Sequence, residues 1–82
     1  MKVDKDVSVK NINNFYFALR EEVENNNQVV IDFSDLSRID SAAAQVILAA
    51  ARKVKELDKT IRFVGVSSEL KKLLKLAGIK LQ

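Results

Sequence analysis

Cysteine and histidine are both missing from this 82-residue chain. Together the two absences exclude thiol nucleophiles, disulfides, thiolate zinc sites and imidazole general bases. Most ordinary enzyme mechanisms lose their central group, so catalysis is not expected and no cofactor or metal is called for. Also lacking is any apolar stretch approaching the roughly 20 residues that cross a bilayer. Met1-Lys2-Val3-Asp4-Lys5-Asp6 is too acidic and too polar to open a secretion signal. The expectation is a cytoplasmic protein that inserts into no membrane. Nor is there a concentrated basic stripe: the net charge of +3 comes from Lys and Arg spread over several segments, which argues against a nucleic-acid partner. What is present is 48% hydrophobic content, enough for one domain over residues 1–82 that removes roughly 60 to 65% of its unfolded surface from water. A second domain does not fit.

The apolar residues Ile12, Phe15, Tyr16, Leu19 and Val23 recur at three and four positions, which predicts an amphipathic helix over residues 9–24 with Ser8 as its cap. Asn11, Asn14, Arg20 and Glu24 are then directed outward. Asn25-Asn26-Asn27 breaks the pattern, since short amides compete for backbone hydrogen bonds and tolerate turn geometry. A strand at 28–33 follows; Val29 to Phe33 are apolar except for Asp32, which reads as a strand covered on both faces. A second helix is expected from Ser41 to Leu57, with Ala43, Val46, Ile47, Ala50, Val54 and Leu57 on one face and Gln45, Arg52 and Glu56 toward water. The β-branched and aromatic run from Thr60 to Val66 reads as another strand. A third helix is capped by Ser67 or Ser68, carries Leu70, Leu73, Leu74 and Ala77 inward and ends at Gly78. Ile79 and Leu81 alternate afterwards as a short extended tail.

Strands and helices alternating over short connections require crossovers, and crossovers give parallel strands. The fold class is therefore α/β, a small mainly parallel sheet with crossover helices. Met1 to Val7 has room for one short strand, so the sheet is expected to leave an edge that a second copy of the chain could cover as a homodimer.

The segment from Val29 to Ala44 is the most informative. A strand runs through a short polar turn onto Ser41, a hydroxyl at the mouth of an Ala-rich helix. That position suits an N-cap serine, and equally a serine that carries a phosphate at the positive end of a helix. Ala42, Ala44, Ala49 and Leu48 would leave a flat helix surface for a partner, although Ala is also simply the best helix former. Asp32, Asp35 and Asp40 form an acidic trio without the nucleotide loop or phosphate-binding lysine of a magnesium site, and read better as turn residues. Lys71, Lys72, Lys75 and Lys80 line the polar side of the third helix and its tail, as a solvated face or a greeting for an acidic partner or membrane surface.

In Val30-Ile31-Asp32-Phe33, Leu36, Ile39 and Asp40-Ser41, followed by small residues and a helix, the chain resembles the STAS domain family of anti-sigma factor antagonists and sulfate-transporter tails. Phe63-Val64-Gly65-Val66-Ser67 and Leu73-Leu74-Lys75-Leu76-Ala77-Gly78-Ile79 are similar to the family's closing strand, helix and terminal signature. The resemblance covers about Val3 to Leu81. It implies a regulatory module whose unmodified Ser41 side binds a protein partner, an anti-sigma factor that is also a serine kinase, and is switched off when that kinase phosphorylates Ser41. It further implies that Asp6, ahead of the first helix, lies near Ser41. Partner contacts are accordingly expected at Asp6, Asp40, Ala42, Ala44, Gln45 and Leu48. Where the antagonists follow Asp-Ser with a second hydroxyl residue or Gly, this chain has Ala42-Ala43-Ala44. In this it resembles single-domain STAS proteins of chemotaxis or phosphorelay systems and, in scale, the STAS subunit of bacterial lipid-transport ABC systems, in which Ser41 would stay unmodified. A STAS domain that binds a small ligand or nucleotide is a further alternative, and a structural or oligomeric module, suggested by the short N-terminus and an exposed Leu48, is the last.

Overall fold

The computed structural model describes residues 1–79. Its elements follow in the order β1 (Asp6–Val7), α1 (Ile12–Asn25), β2 (Gln28–Asp32), β3 (Arg38–Ile39), α2 (Ser41–Glu56), β4 (Thr60–Val64) and α3 (Ser68–Leu76). Every strand pairing is parallel, because a helix or a crossover separates each strand from its partner. β1 lies beside β3, with Asp6 opposite Arg38 and Val7 opposite Ile39. β2 lies beside β4 from Gln28 opposite Thr60 to Asp32 opposite Val64. The first residues lie along β2: the Val3 amide donates to the Asp32 carbonyl at 2.9 Å, and the Asp32 amide donates to the Met1 carbonyl at 2.8 Å. The α/β class and the small parallel sheet agree with the sequence, with the pairing divided between two short ladders.

β2 departs from expectation in its burial. Val29 and Ile31 are buried, whereas Gln28 is exposed and Val30 and Asp32 are half-buried. This period of two is that of a strand with one covered face, and the apolar run had hidden it because Val30 is β-branched as well. Across the register, Ile61 and Phe63 stand opposite Val29 and Ile31, and Phe63 stacks on the buried Phe33 ring at 5.9 Å between centroids.

α1 presents Phe15, Leu19 and Val23 to the core. Tyr16, expected with them, is turned outward, one residue off the stripe, with its ring edge-on to Phe17. α2 buries Ala43, Ala44, Ile47, Leu48 and Val54. Leu57 was expected inside and is 44% exposed, because the helix has ended at Glu56 and the chain reverses through Asp58 at φ +57°. The turn brings the Lys59 ammonium onto the Val23 and Glu24 carbonyls, where a cation meets acceptors left over at the end of α1. β4 stops at Val64 rather than Val66, since Gly65 takes φ +67°. A Cβ there would lie 2.7 Å from the Ser34 amide nitrogen, so the loop after β4 packs directly on the backbone of the loop after β2. α3 ends as expected: Gly78 has φ +93°, the Ile79 amide donates to the Leu74 carbonyl, and Ile79 is buried. Leu81 and Lys80 of the expected tail lie outside the described residues. Among the described residues no helix is long and apolar enough to cross a membrane.

Candidate functional site

The mouth of α2 is assembled by one carboxylate. β3 delivers Asp40 in extended conformation, with its amide donating to the Val7 carbonyl of β1 at 3.3 Å. The Asp40 Oδ1 then accepts the Ala43 amide at 3.0 Å and Oδ2 accepts the Val9 amide at 2.9 Å. The first bond caps α2 and the second ties the β1–α1 loop to it. Both donors hold the Asp40 carboxyl below the usual carboxylate range, the Ala43 amide most strongly and the Val9 amide next. The cap is therefore Asp40, and the capping reading of Ser41 is corrected. An N-cap must sit one residue before the helical backbone begins so that its side chain can turn back on the third amide. Ser41 is already helical.

Ser41 is exposed, at the first position of α2. At 100° per residue, Gln45 and Ala49 follow it on the same outer stripe and both are exposed. Ala42 is half-buried at the edge of that stripe. Ala44 and Leu48 are corrections: they are 1% and 9% exposed, because Ala43, Ala44, Ile47 and Leu48 form the opposite, core-facing stripe of the same helix. Ala44 is thereby closed to a partner while the domain is folded, and what remains of Leu48 lines a groove beside β4, away from the mouth of α2.

Asp6 is exposed on β1, beside the strand that leads to Asp40 and Ser41. The loop that follows is held by Asn11, whose Oδ1 accepts the Ser8 amide at 2.8 Å and whose Nδ2 donates to the Asp6 carbonyl at 2.7 Å. Ser8 thus lies in a turn and does not cap α1, which begins at Ile12 with no side-chain cap. Sequence reasoning placed Asn11 outward on a helix and passed over Val9, which is 67% exposed next to the Asp40 bond. Asn11 carried a signal, since Asn three residues after Ser favours a local side-chain turn. Val9 carried none, because it stands three residues before Ile12 and so fits the helical period.

The acidic trio separates into three local roles. Asp32 Oδ1 accepts the Ser34 amide at 2.8 Å, and the bonds from Ser34 lower its carboxyl. Asp35 reaches Lys2 at 3.4 Å, and Asp40 caps α2. Among the described residues no group of three acidic, cysteine or histidine side chains could hold a metal ion. Chemically, Ser41 is a reachable hydroxyl at the positive end of a helix. Its neighbour Asp40 is a poor proton acceptor, since each oxygen already takes an N–H. The arrangement suits a hydroxyl acted upon by another protein better than a nucleophile with its own base.

The family model described as "Mlab, STAS domain" matches residues 1–80. No curated protein matches the chain. The chain belongs to the STAS domain family, and is a STAS-type regulatory or binding module.

Proposed function

We propose that this STAS domain works without catalysis, by binding another protein through the mouth of α2, and that phosphorylation of Ser41 switches the contact off. The observation that carries the reading is the division of labour between neighbours: Asp40 supplies the cap while Ser41 stands exposed beside it. Ser41 is thereby relieved of a structural duty, and a modification there need not unfold the helix. The contact surface comprises Ser41, Ala42 and Gln45 from α2, Asp40 between the elements, Asp6 from β1 and Val9 from the adjoining loop.

A phosphate on Ser41 adds about −1.5 to −2 charge and three acceptor oxygens. The helix terminus favours it, while Asp40 and Asp6 oppose it by like-charge repulsion. The domain keeps its fold and the surface, already acidic through Asp40 and Asp6, becomes more strongly negative. Against a desolvated or anionic partner surface one phosphate costs several kcal/mol, about a thousandfold in affinity. A kinase-type anti-sigma factor encoded beside this chain would favour the switch, and is the partner to test. The test compares wild type, Ser41→Ala and Ser41→Asp on that partner by calorimetry. Loss of binding in Ser41→Asp alone supports the switch, and equal binding by all three removes it.

The run Ala42-Ala43-Ala44 favours a second reading, a constitutive subunit of a lipid-transport ABC or chemotaxis assembly. No hydroxyl follows Ser41 to extend a recognition site for a kinase. Mass analysis of the protein isolated from its own host separates the two: persistent absence of phosphate on Ser41 under conditions where the partner is released favours the subunit.

A further inference from the structure

A groove runs along β4 between the second half of α2 and α3, well removed from Ser41 in its residues. Its floor is apolar, made by the half-buried Ile61, Phe63 and Val66. Its rim is cationic: Arg52, Lys55, Arg62 and Lys71 surround the floor, with Asp58 as the opposing charge. Lys59 also lines the groove, but its ammonium is engaged at the end of α1. Among the described residues none of the four rim cations forms an ion pair. Among the described residues β4 is hydrogen-bonded along one edge, to β2, and Gly78 and Ile79 line the groove at its α3 end.

From this charge pattern we propose that the groove docks an extended acidic segment of a partner protein, added as a strand along the outer edge of β4. Sign selects an anionic occupant. Period selects its form: Ile61 and Phe63 flank Arg62 on a strand whose side chains alternate, so a segment with apolar residues at every second position and acids between them satisfies both faces at once. The five residues of β4 span about 17 Å at roughly 3.3 Å per residue, room for a short strand. Relief argues against a bilayer, which would need apolar side chains that protrude past the cations; here they lie half-buried between them.

The probe is an acetylated, amidated heptapeptide alternating glutamate and valine, titrated into isotope-labelled full-length protein and followed by amide chemical shifts. The expected result is saturable shifts on β4 and the groove rim, with affinity falling as salt rises. Arg62→Gln combined with Arg52→Gln weakens binding by about tenfold while circular dichroism stays unchanged. Ser41→Asp leaves it as it was, which separates this groove from the mouth of α2. A heptapeptide of the same composition with its valines grouped at one end binds several-fold more weakly. Absence of shifts at millimolar peptide, shifts confined to another face, or equal binding of the grouped peptide would each overturn the proposal. So would binding of phosphatidylglycerol vesicles, lost in the Arg62→Gln and Arg52→Gln variant, by a protein that ignores the peptide.

Discussion

The mouths of α2 and α3 are built from the same materials and end up with opposite chemistry. Each follows a strand, each has a serine at the turn, and each has one side chain accepting the amide three residues on. At α3 that side chain is Ser67, whose Oγ accepts the Leu70 amide at 3.1 Å. At α2 it is Asp40, and the serine comes one residue later, exposed. One position of offset decides whether a hydroxyl is part of the scaffold or part of the surface. The α2 mouth also reaches across to Val9, so its carboxylate holds two elements together, whereas the Ser67 bond stays within its own helix.

The largest effect on this comparison is expected from Gly65→Ala, which attacks the loop entering α3. A Cβ at φ +67° would meet the Ser34 amide nitrogen, Cα and Cβ all within 3.0 Å, and backbone cannot step aside as a flexible side chain would. A loss of roughly 3 kcal/mol or more is expected in urea denaturation. A loss under about 1 kcal/mol would show that the two loops separate easily.

Asp40→Ala comes next, and should lower the urea midpoint further than Ser67→Ala, since it removes a cap and a tie between elements. The same carboxylate gives the comparison a pH signature. Its native pKa is depressed, so its stabilisation is present above the ordinary Asp range near about 3.9 and is lost as pH falls through the lower native value. Asp32, lowered by Ser34, acts in the same direction. Asp40→Asn keeps an acceptor for the Ala43 amide but removes one titration, so stability measured from neutral pH into acid should fall less steeply than in wild type. An unchanged slope would mean that Asp40 is not held as described.

Ser67→Ala should cost about 1 kcal/mol, the usual worth of a hydroxyl cap. Ser41→Ala is the smallest, within about 0.5 kcal/mol, as for an exposed residue without a structural partner. Equal losses in these two variants would erase the distinction between the mouths and with it the argument that Ser41 is spare.

Much of this was legible before the fold was known. The cap of α3 could be narrowed to Ser67 or Ser68 because two hydroxyls directly precede an apolar stripe, and the structure selects Ser67. Ser41 could be placed on the surface because Gln45, its neighbour one turn on, is polar. Its reading as a cap failed because Asp40 is an equally good capping residue, and propensity alone does not say which of two adjacent candidates stands outside the helical backbone. Ala44 and Leu48 were misplaced because alanine and leucine are both good helix formers and leave the width of the buried stripe undetermined at its edges. Val9 was missed since its exposure depends on where α1 begins, three residues later, and that boundary is set by the Asn11 bonds to Ser8 and Asp6.

The sequence by itself determined the class of the fold, the parallel pairing, the turn at Gly78 and a hydroxyl at the start of α2, because hydrophobic period and short connections are local properties of the chain. Tertiary structure alone decided that Asp40 binds Val9, that Gly65 presses on Ser34 and that Arg52, Arg62 and Lys71 surround one apolar floor. Those are meetings between segments far apart in sequence, and no local pattern records which partners packing will bring together.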